Sequence, residues 1–364
     1  MDSKTSFFSN DLIKSNARVS GTENILQLQL HRNESPNDID DNLKQIVIES
    51  LFKTSWNRYP APDNKEIEYL IGDYIGVNAE NIVVSAGAAN LITCLFNYFS
   101  HQNFSIVIAQ PSFSLYEYHC KTFGIQYVTW KLNDQLEYDL SLFPTTKDKS
   151  LVVFASPNNP VGNCLSIDDM EKLLIEYPQS LFLVDEVYYE FSGATFQPLL
   201  GKYSNLILVR SFSKTFSAAG VRLGYGICSA DHAAQIRKLI LPFSLNHFAS
   251  IFAKSLLNNT NLRDVNESFI KSIINERDKL YYELKKLSNY SHFDLGFSFG
   301  NFLLIRFSSP DIFDRYLNAL SESGIQVLNV SGTPMLENCL RVTIGSQNEN
   351  DAFLSVINKL CSYL

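Results

Sequence analysis

Residues 209–226, VRSFSKTFSAAGVRLGYG, decide how this chain is read. The apolar run LILV at 206–209 ends in a cluster of Ser211, Ser213 and Lys214, and Arg222 follows eight residues after the lysine. A continuous apolar run of this kind, bounded by polar turn residues, reads as a strand buried on both faces. A lysine at the strand-to-loop junction is, taken alone, most often a solvated surface charge. Among hydroxyls and an arginine it has a second reading: an amine held in a pocket, beside groups that suit an anion.

Four more stretches repeat the pattern of apolar strand and polar loop: NIVVSAGAAN (81–90), SIVIAQPSFSLY (105–116), LVVFASPNNPVGN (151–163) and LFLVDEVYYEF (181–191). Helix-like segments such as LITCLFNYF and DDMEKLLIEY separate several of them, which predicts a parallel sheet covered on both sides. In open α/β sheets, ligands bind beyond the carboxyl ends of the strands, and every unusual polar group just quoted falls at such an end. From about residue 245 the pattern changes to a long helical stretch, ESFIKSIINERDKLYYELKKL, followed by strands FLLIRF and LRVTIG and helices PDIFDRYLNALSESG and ENDAFLSVINKL. The expected fold is α/β: a large domain with a mostly parallel central sheet flanked by helices, plus a smaller α+β domain. Residues 1–40 are expected to be an N-terminal arm joining the small domain, 41–244 the large domain, and 245–364 the interdomain helix and small C-terminal domain.

The composition sets limits. The chain has 364 residues, 45% hydrophobic and 19% charged, enough for two domains, since single cores stop growing near roughly 250–300 residues. A net charge of −8 argues against an electrostatic hold on nucleic acid. Six cysteines (94, 120, 164, 228, 339, 361) lack CxxC spacing and read as reduced, mostly buried thiols, with no metal site implied. The N-terminus has no basic start with an apolar core, and no apolar run approaches the ~20 residues of a bilayer span, so a soluble cytoplasmic protein is expected.

Asp185 follows LFLV and should stand at a strand end, where a bare carboxylate is costly unless partnered; a helix cap or surface turn is the other reading. A pyridine ring nitrogen is one such partner. Lysines form Schiff bases with carbonyl compounds, and Ser211, Ser213 and Arg222 together suit a phosphate. A carbonyl cofactor with a phosphate and a pyridine ring is pyridoxal 5′-phosphate. Tyr188, three residues after Asp185, is in reach of the same ring, or is an ordinary half-buried tyrosine. Asn159 in SPNNPVGN is a turn residue whose amide also suits a ring oxygen. Gly87, Ala88 and Ala89 open a predicted helix whose N–H groups suit an anion, and Phe113 is a candidate to stack on a ring or to fill a core.

With these residues in order, NESP, NRYP, GAAN, PSF, SPNNPVG, DEVYYEF, SFSKTFSAAGVRLGY and LRVTIGSQNEN, the chain resembles the fold type I, pyridoxal phosphate-dependent aminotransferases. Within them it is most similar to the histidinol-phosphate aminotransferase branch, from about residue 25 to the end. The resemblance implies an aspartate-aminotransferase-like fold and a transaminase. It implies that Lys214 bonds the cofactor and later shuttles a proton, that Asp185 pairs with the ring nitrogen, and that Asn159 and Tyr188 contact the ring oxygen while Phe113 stacks on the ring. It implies that Ser211, Ser213, Arg222 and the amides of Ala88 and Ala89 hold the phosphate. Tyr59 of NRYP would reach the phosphate of a neighbouring subunit, implying a homodimer, and Arg341 would receive the substrate's carboxylate. The implied partners are an amino donor and a 2-oxo acid acceptor, with no nucleic acid and no membrane.

The chain departs from the family at several positions: Val161 in place of the usual threonine, Ala89-Asn90 in place of an acidic residue, and Phe113 in place of a tyrosine. Leu328 stands where the histidinol-phosphate enzymes carry an arginine, and Lys14 where their arm carries a tyrosine, both of which face a substrate phosphate. The substrate end is therefore expected to be altered. His31 and Arg32 precede NESP, and Arg32 is a candidate for a second anion contact or an exposed arm residue. Two alternatives stay open: a decarboxylase or lyase of the threonine-phosphate decarboxylase type, and a non-catalytic regulatory protein on the same fold.

Overall fold

A computed structural model describes residue 12 and residues 27–145, 149–288 and 292–362. Lys14 and most of the arm's first 26 residues lie outside the described residues.

Strand β1 (Leu28–Leu30) comes first, then β2 (Ile82–Ser85), β3 (Ser105–Gln110), β4 (Tyr127–Lys131), β5 (Ser150–Ala155), β6 (Leu181–Asp185), β7 (Leu206–Ser211) and β8 (Gly224–Ile227). Strands β2 to β8 form a seven-stranded sheet in the order β2-β8-β7-β6-β5-β3-β4. Its neighbours are parallel except β8, which runs antiparallel to β2 and β7. The expected mostly parallel sheet is present.

Alternation along each strand feeds two cores. On β5, Val152 and Phe154 enter one cluster and Leu151 and Val153 the other; on β6, Phe182 and Val184 oppose Leu183. Each fully buried side chain of this kind contributes roughly 1.5–3 kcal/mol, which is why these runs are apolar at successive positions rather than alternating. Helices cover both faces, including Ala88–Ser100 on one and His247–Leu257 on the other.

Strands β9 (Phe293–Leu295), β10 (Phe302–Phe307), β11 (Ile325–Asn329) and β12 (Cys339–Thr343) form a second sheet with β1, in the order β1-β11-β12-β10-β9. The described part of the arm thus joins the small sheet, β1 lying parallel to β11 with Leu28 opposite Ile325. The helix Thr260–Ser288 bridges the two sheets: Leu262 enters the core of the large one, and Ile270, Ile273, Leu280 and Leu284 that of the small one. We propose this helix as the joint between two domains. The helix Asp41–Lys53 ends where Thr54 turns extended and returns its N–H to Leu51.

No disulfide joins any of the six cysteines, and Cys120, Cys228 and Cys339 are buried. Burial pushes the Cys120 and Cys228 thiols up to about 12, far from reactive thiolate. Among the described residues no helix is long and apolar enough to cross a membrane.

Candidate active site

The site is built where β5, β6 and β7 end, beneath the small sheet. Asp185 is the last residue of β6 and 7% exposed. Burial drives its carboxyl up to about 6, against hydrogen bonds from the Tyr116 hydroxyl (2.9 Å) and the Val187 amide (3.1 Å). A carboxylate held this way gains from a cationic partner.

Lys214 lies three residues beyond the end of β7 and is half-buried. Burial brings its amine down to about 8, helped by the charges of Arg341 and Arg222 and opposed by Glu34 and Asp185. Asp185 and Lys214 each feel the other's charge, so the two strand ends converge on one volume. The Lys214 Nζ donates to the Arg32 carbonyl at 2.8 Å.

Tyr188 and Asn159 stand beside this pair, both buried. The Tyr188 hydroxyl accepts from Asn33 Nδ2 at 2.9 Å and, over a longer 3.4 Å, from Asn159 Nδ2. Burial raises the phenol's pKa and keeps it a neutral donor. Phe113 is half-buried and packs edge-on against Tyr116, 5.7 Å between centroids, on the flank of Asp185.

A second cluster surrounds the start of helix Ala88–Ser100. Gly87 caps that helix at φ 92°, with no side-chain cap, so its first N–H groups face outward with the positive end of the helix dipole. A Cβ on Gly224 would lie 2.3 Å from the Ala88 nitrogen, and one on Gly87 would lie 2.8 Å from Arg222 Nη2. Only glycine at both positions lets β8 and the arginine approach this helix end. Arg222 sits at φ 62°, ψ 56°, a left-handed conformation that costs a non-glycine residue about 1–2 kcal/mol. Ser211 Oγ accepts from the Ser213 amide at 3.0 Å, folding the loop below Lys214 back on itself.

Arg341, on β12, approaches from the small sheet and is 5% exposed. Its Nη1 donates to Asn159 Oδ1 and its Nη2 to the His31 carbonyl. Its buried Nε has no hydrogen-bond partner among the described residues. A buried guanidinium with an unused donor is suited to an anion. Opposite Arg341 in the ladders stand Leu328 on β11 and Leu304 on β10, on the same face of the sheet.

The predicted residues divide clearly. Lys214, Asp185, Tyr188, Asn159 and Arg341 meet in one volume, while Ala88, Ala89, Arg222, Ser211 and Ser213 gather around the helix start. Arg32 reaches Lys214 through its backbone carbonyl, and the residue itself is exposed. Tyr59 is 80% exposed and lies against Phe243, 4.8 Å between centroids, on the outer surface. Sequence reasoning passed over Tyr116, Asn33 and Gly224. Tyr116 carried no local signal of its place in the site, since its partner Asp185 lies 69 residues away. Among the described residues no group of three or more His, Cys, Asp or Glu side chains is placed to hold a metal ion.

The family model for class I and II aminotransferases matches residues 26–357. A histidinol-phosphate aminotransferase of Thermococcus kodakarensis is 34% identical over 334 residues, covering 92% of each chain. Among solved structures, a histidinol-phosphate aminotransferase of Sinorhizobium meliloti in complex with pyridoxal-5′-phosphate superposes with a TM-score of 0.82 at 21% identity, over 99% of each chain. L-threonine-O-3-phosphate decarboxylase of Porphyromonas gingivalis superposes with a TM-score of 0.76 at 21% identity, over 92% of this chain and 99% of that one. These two superpositions speak for the fold.

The chain belongs to the class I and II aminotransferases, as a pyridoxal 5′-phosphate-dependent transaminase of fold type I. The residues present fit that cofactor. Asp185 is a buried carboxylate needing a cation, Lys214 an amine neutral above about pH 8, and the uncapped helix start beside Arg222 an anion cradle that a Cβ would fill.

Proposed function

We propose that this transaminase moves an amino group between an amino acid and a 2-oxo acid whose side chains carry no phosphate. The observation that carries the substrate reading is the pair of leucines, Leu328 and Leu304, facing the same side as Arg341. Leu304 and Val161 belong to one apolar cluster against which Leu328 packs. With Arg341 engaged by the α-carboxylate, a substrate phosphate would have to lose its hydration against these leucines.

On this reading Lys214 would hold the cofactor through Nζ, Asp185 would serve its ring nitrogen, Asn159 and Tyr188 its ring oxygen, and Phe113 would pack on the ring. Ser211, Ser213, Arg222 and the Ala88 and Ala89 amides would hold its phosphate. When bound, pyridoxal phosphate supplies a protonated ring that takes up the electron pair left on the substrate's Cα. Lys214 Nζ, once free and neutral, removes the Cα proton. Arg341 receives the α-carboxylate, using its open Nε and exchanging the His31 carbonyl for a charged oxygen. Desolvation strengthens that contact.

Tyr59 has a role only in a homodimer. Close in sequence to Tyr59 or to its ring partner Phe243, the apolar residues Phe52, Trp56 and Leu241 are 88%, 75% and 77% exposed. An apolar face of this sort suits a second copy of the chain, which would bring Tyr59 to the partner's phosphate cradle.

A decarboxylase shares this cofactor end, and a solved decarboxylase shares the fold. The two activities separate in one experiment: the holoenzyme is incubated with candidate amino acids and a 2-oxo acid, and transferred amine and carbon dioxide are both measured. Amine transfer between donors and 2-oxo acids that carry no phosphate supports the proposal. Carbon dioxide without transfer, or transfer only from phosphorylated donors, overturns it. A protein that binds no cofactor would instead point to a regulatory role, against the presence of both Lys214 and Asp185.

A further inference from the structure

Three consecutive residues of the arm touch three functional groups. The His31 carbonyl accepts from Arg341, the Arg32 carbonyl accepts from Lys214, and the Asn33 amide donates to the Tyr188 hydroxyl. Of the three, Asn33 is fixed on every side. Its backbone N–H donates to Thr343 Oγ1 (2.9 Å), its carbonyl accepts from Asn301 Nδ2 (3.2 Å), and its side-chain Oδ1 accepts from Thr343 Oγ1 (3.1 Å). It is 1% exposed and held at φ 53°. A buried asparagine with all four polar groups engaged is a rigid point, because breaking any contact leaves a buried polar atom unsatisfied.

The effect on Tyr188 is directional. A phenol has one proton to give and lone pairs to receive. Asn33 Nδ2 and Asn159 Nδ2 both donate to this oxygen, which leaves the phenol's own proton to be donated elsewhere. Thr343, two residues from Arg341 on β12, shares its face, so the small sheet fixes Asn33 from the side that also carries the substrate arginine.

We propose that Asn33 is a positioning residue for the transaminase. It pins residues 31–33 across the site and orients the Tyr188 phenol as a hydrogen-bond donor toward the cofactor's ring oxygen. The proposal rests on the reading of Tyr188 as a ring-oxygen contact.

The test titrates the visible absorbance of the full chain, reconstituted with pyridoxal 5′-phosphate, against pH. A donor to the ring oxygen stabilises its anionic form, so losing the donor raises the titration midpoint, by about one pH unit for a charge-assisted bond. Tyr188→Phe should show this shift. Asn33→Ala should move the midpoint the same way. Asn33→Asp keeps the size and the acceptor for Thr343, and should match or exceed the alanine variant, since its carboxylate draws the Tyr188 proton toward itself. Adding Asn33→Ala to Tyr188→Phe should produce no further shift. If both Asn33 variants keep the wild-type midpoint while Tyr188→Phe moves it, Asn33 serves only the fold and the proposal fails alone. An additive shift in the double variant overturns it too. If Tyr188→Phe itself leaves the midpoint unchanged, the reading of Tyr188 fails and takes the proposal with it.

Discussion

Arg341 and Asn159 are joined by a hydrogen bond from Nη1 to Oδ1 across the seam between the five-stranded and seven-stranded sheets. Asn159 is therefore shared between two contacts: its oxygen accepts from Arg341, the proposed carboxylate receiver, and its nitrogen reaches Tyr188. Replacing Arg341 with alanine removes a buried charge from both the carboxylate site and this bridge. A loss of about 2–4 kcal/mol is expected, roughly 30- to 1000-fold in kcat/KM, with KM rising for every amino acid accepted. Steady-state kinetics with one donor and several 2-oxo acids checks this, and an unchanged KM would remove Arg341 from the site.

Lys214→Ala should lower amino transfer by at least roughly a thousandfold, because it removes the amine proposed to take the Cα proton. The lowered amine also has a signature in the cofactor-free protein. Reductive labelling with a small aldehyde should level off at Lys214 above about pH 8, while ordinary lysines continue gaining toward pH 10.5. Mass spectrometry of the labelled peptide reads the two profiles side by side.

Gly224→Ala forces a methyl to 2.3 Å from the Ala88 nitrogen, so β8 and the start of helix Ala88–Ser100 must separate. Overpacking of this kind costs about 1–3 kcal/mol of stability. The larger effect is expected on the affinity for pyridoxal phosphate, since the displaced amides are those proposed to hold its phosphate. Equilibrium dialysis of the variant tests it: affinity equal to wild type would mean the phosphate is held elsewhere.

Asp185→Asn separates stability from function. The folded carboxyl titrates near 6 and an unfolded one near 3.8, so the folded state binds the extra proton between these values and loses that advantage as pH rises through 6. Above pH 6 the buried negative charge costs about 3 kcal/mol, and below about pH 4 nothing. The neutral amide should therefore stabilise the cofactor-free protein by about 1–3 kcal/mol at pH 7 and leave it unchanged near pH 3.5. Chemical denaturation at the two pH values is the measurement. Amino transfer should nevertheless be lost, because the ring nitrogen lacks its counter-charge.

The large sheet was legible because its strands are buried on both faces, so LFLV and LILV stand out as unbroken apolar runs. Strand β8 was not, since GYGI carries two glycines, one of them demanded by contact with Ala88 rather than by strand preference. Strand β1 is three residues long and takes its identity from β11. The cofactor end was legible for a related reason: lysine, aspartate and serine at the ends of apolar runs are out of keeping with their surroundings. Tyr116 and Asn33 were not, because each looks ordinary locally. Their partners Asp185 and Tyr188 lie 69 and 155 residues away, and only the fold brings them together.

Asn33 and Thr343 are separated by 310 residues of chain. On the ribosome the segment that crosses Lys214 is thus made long before the strand that fastens it. A nascent chain that ends short of β12 lacks both Arg341 and the threonine that holds Asn33 in place.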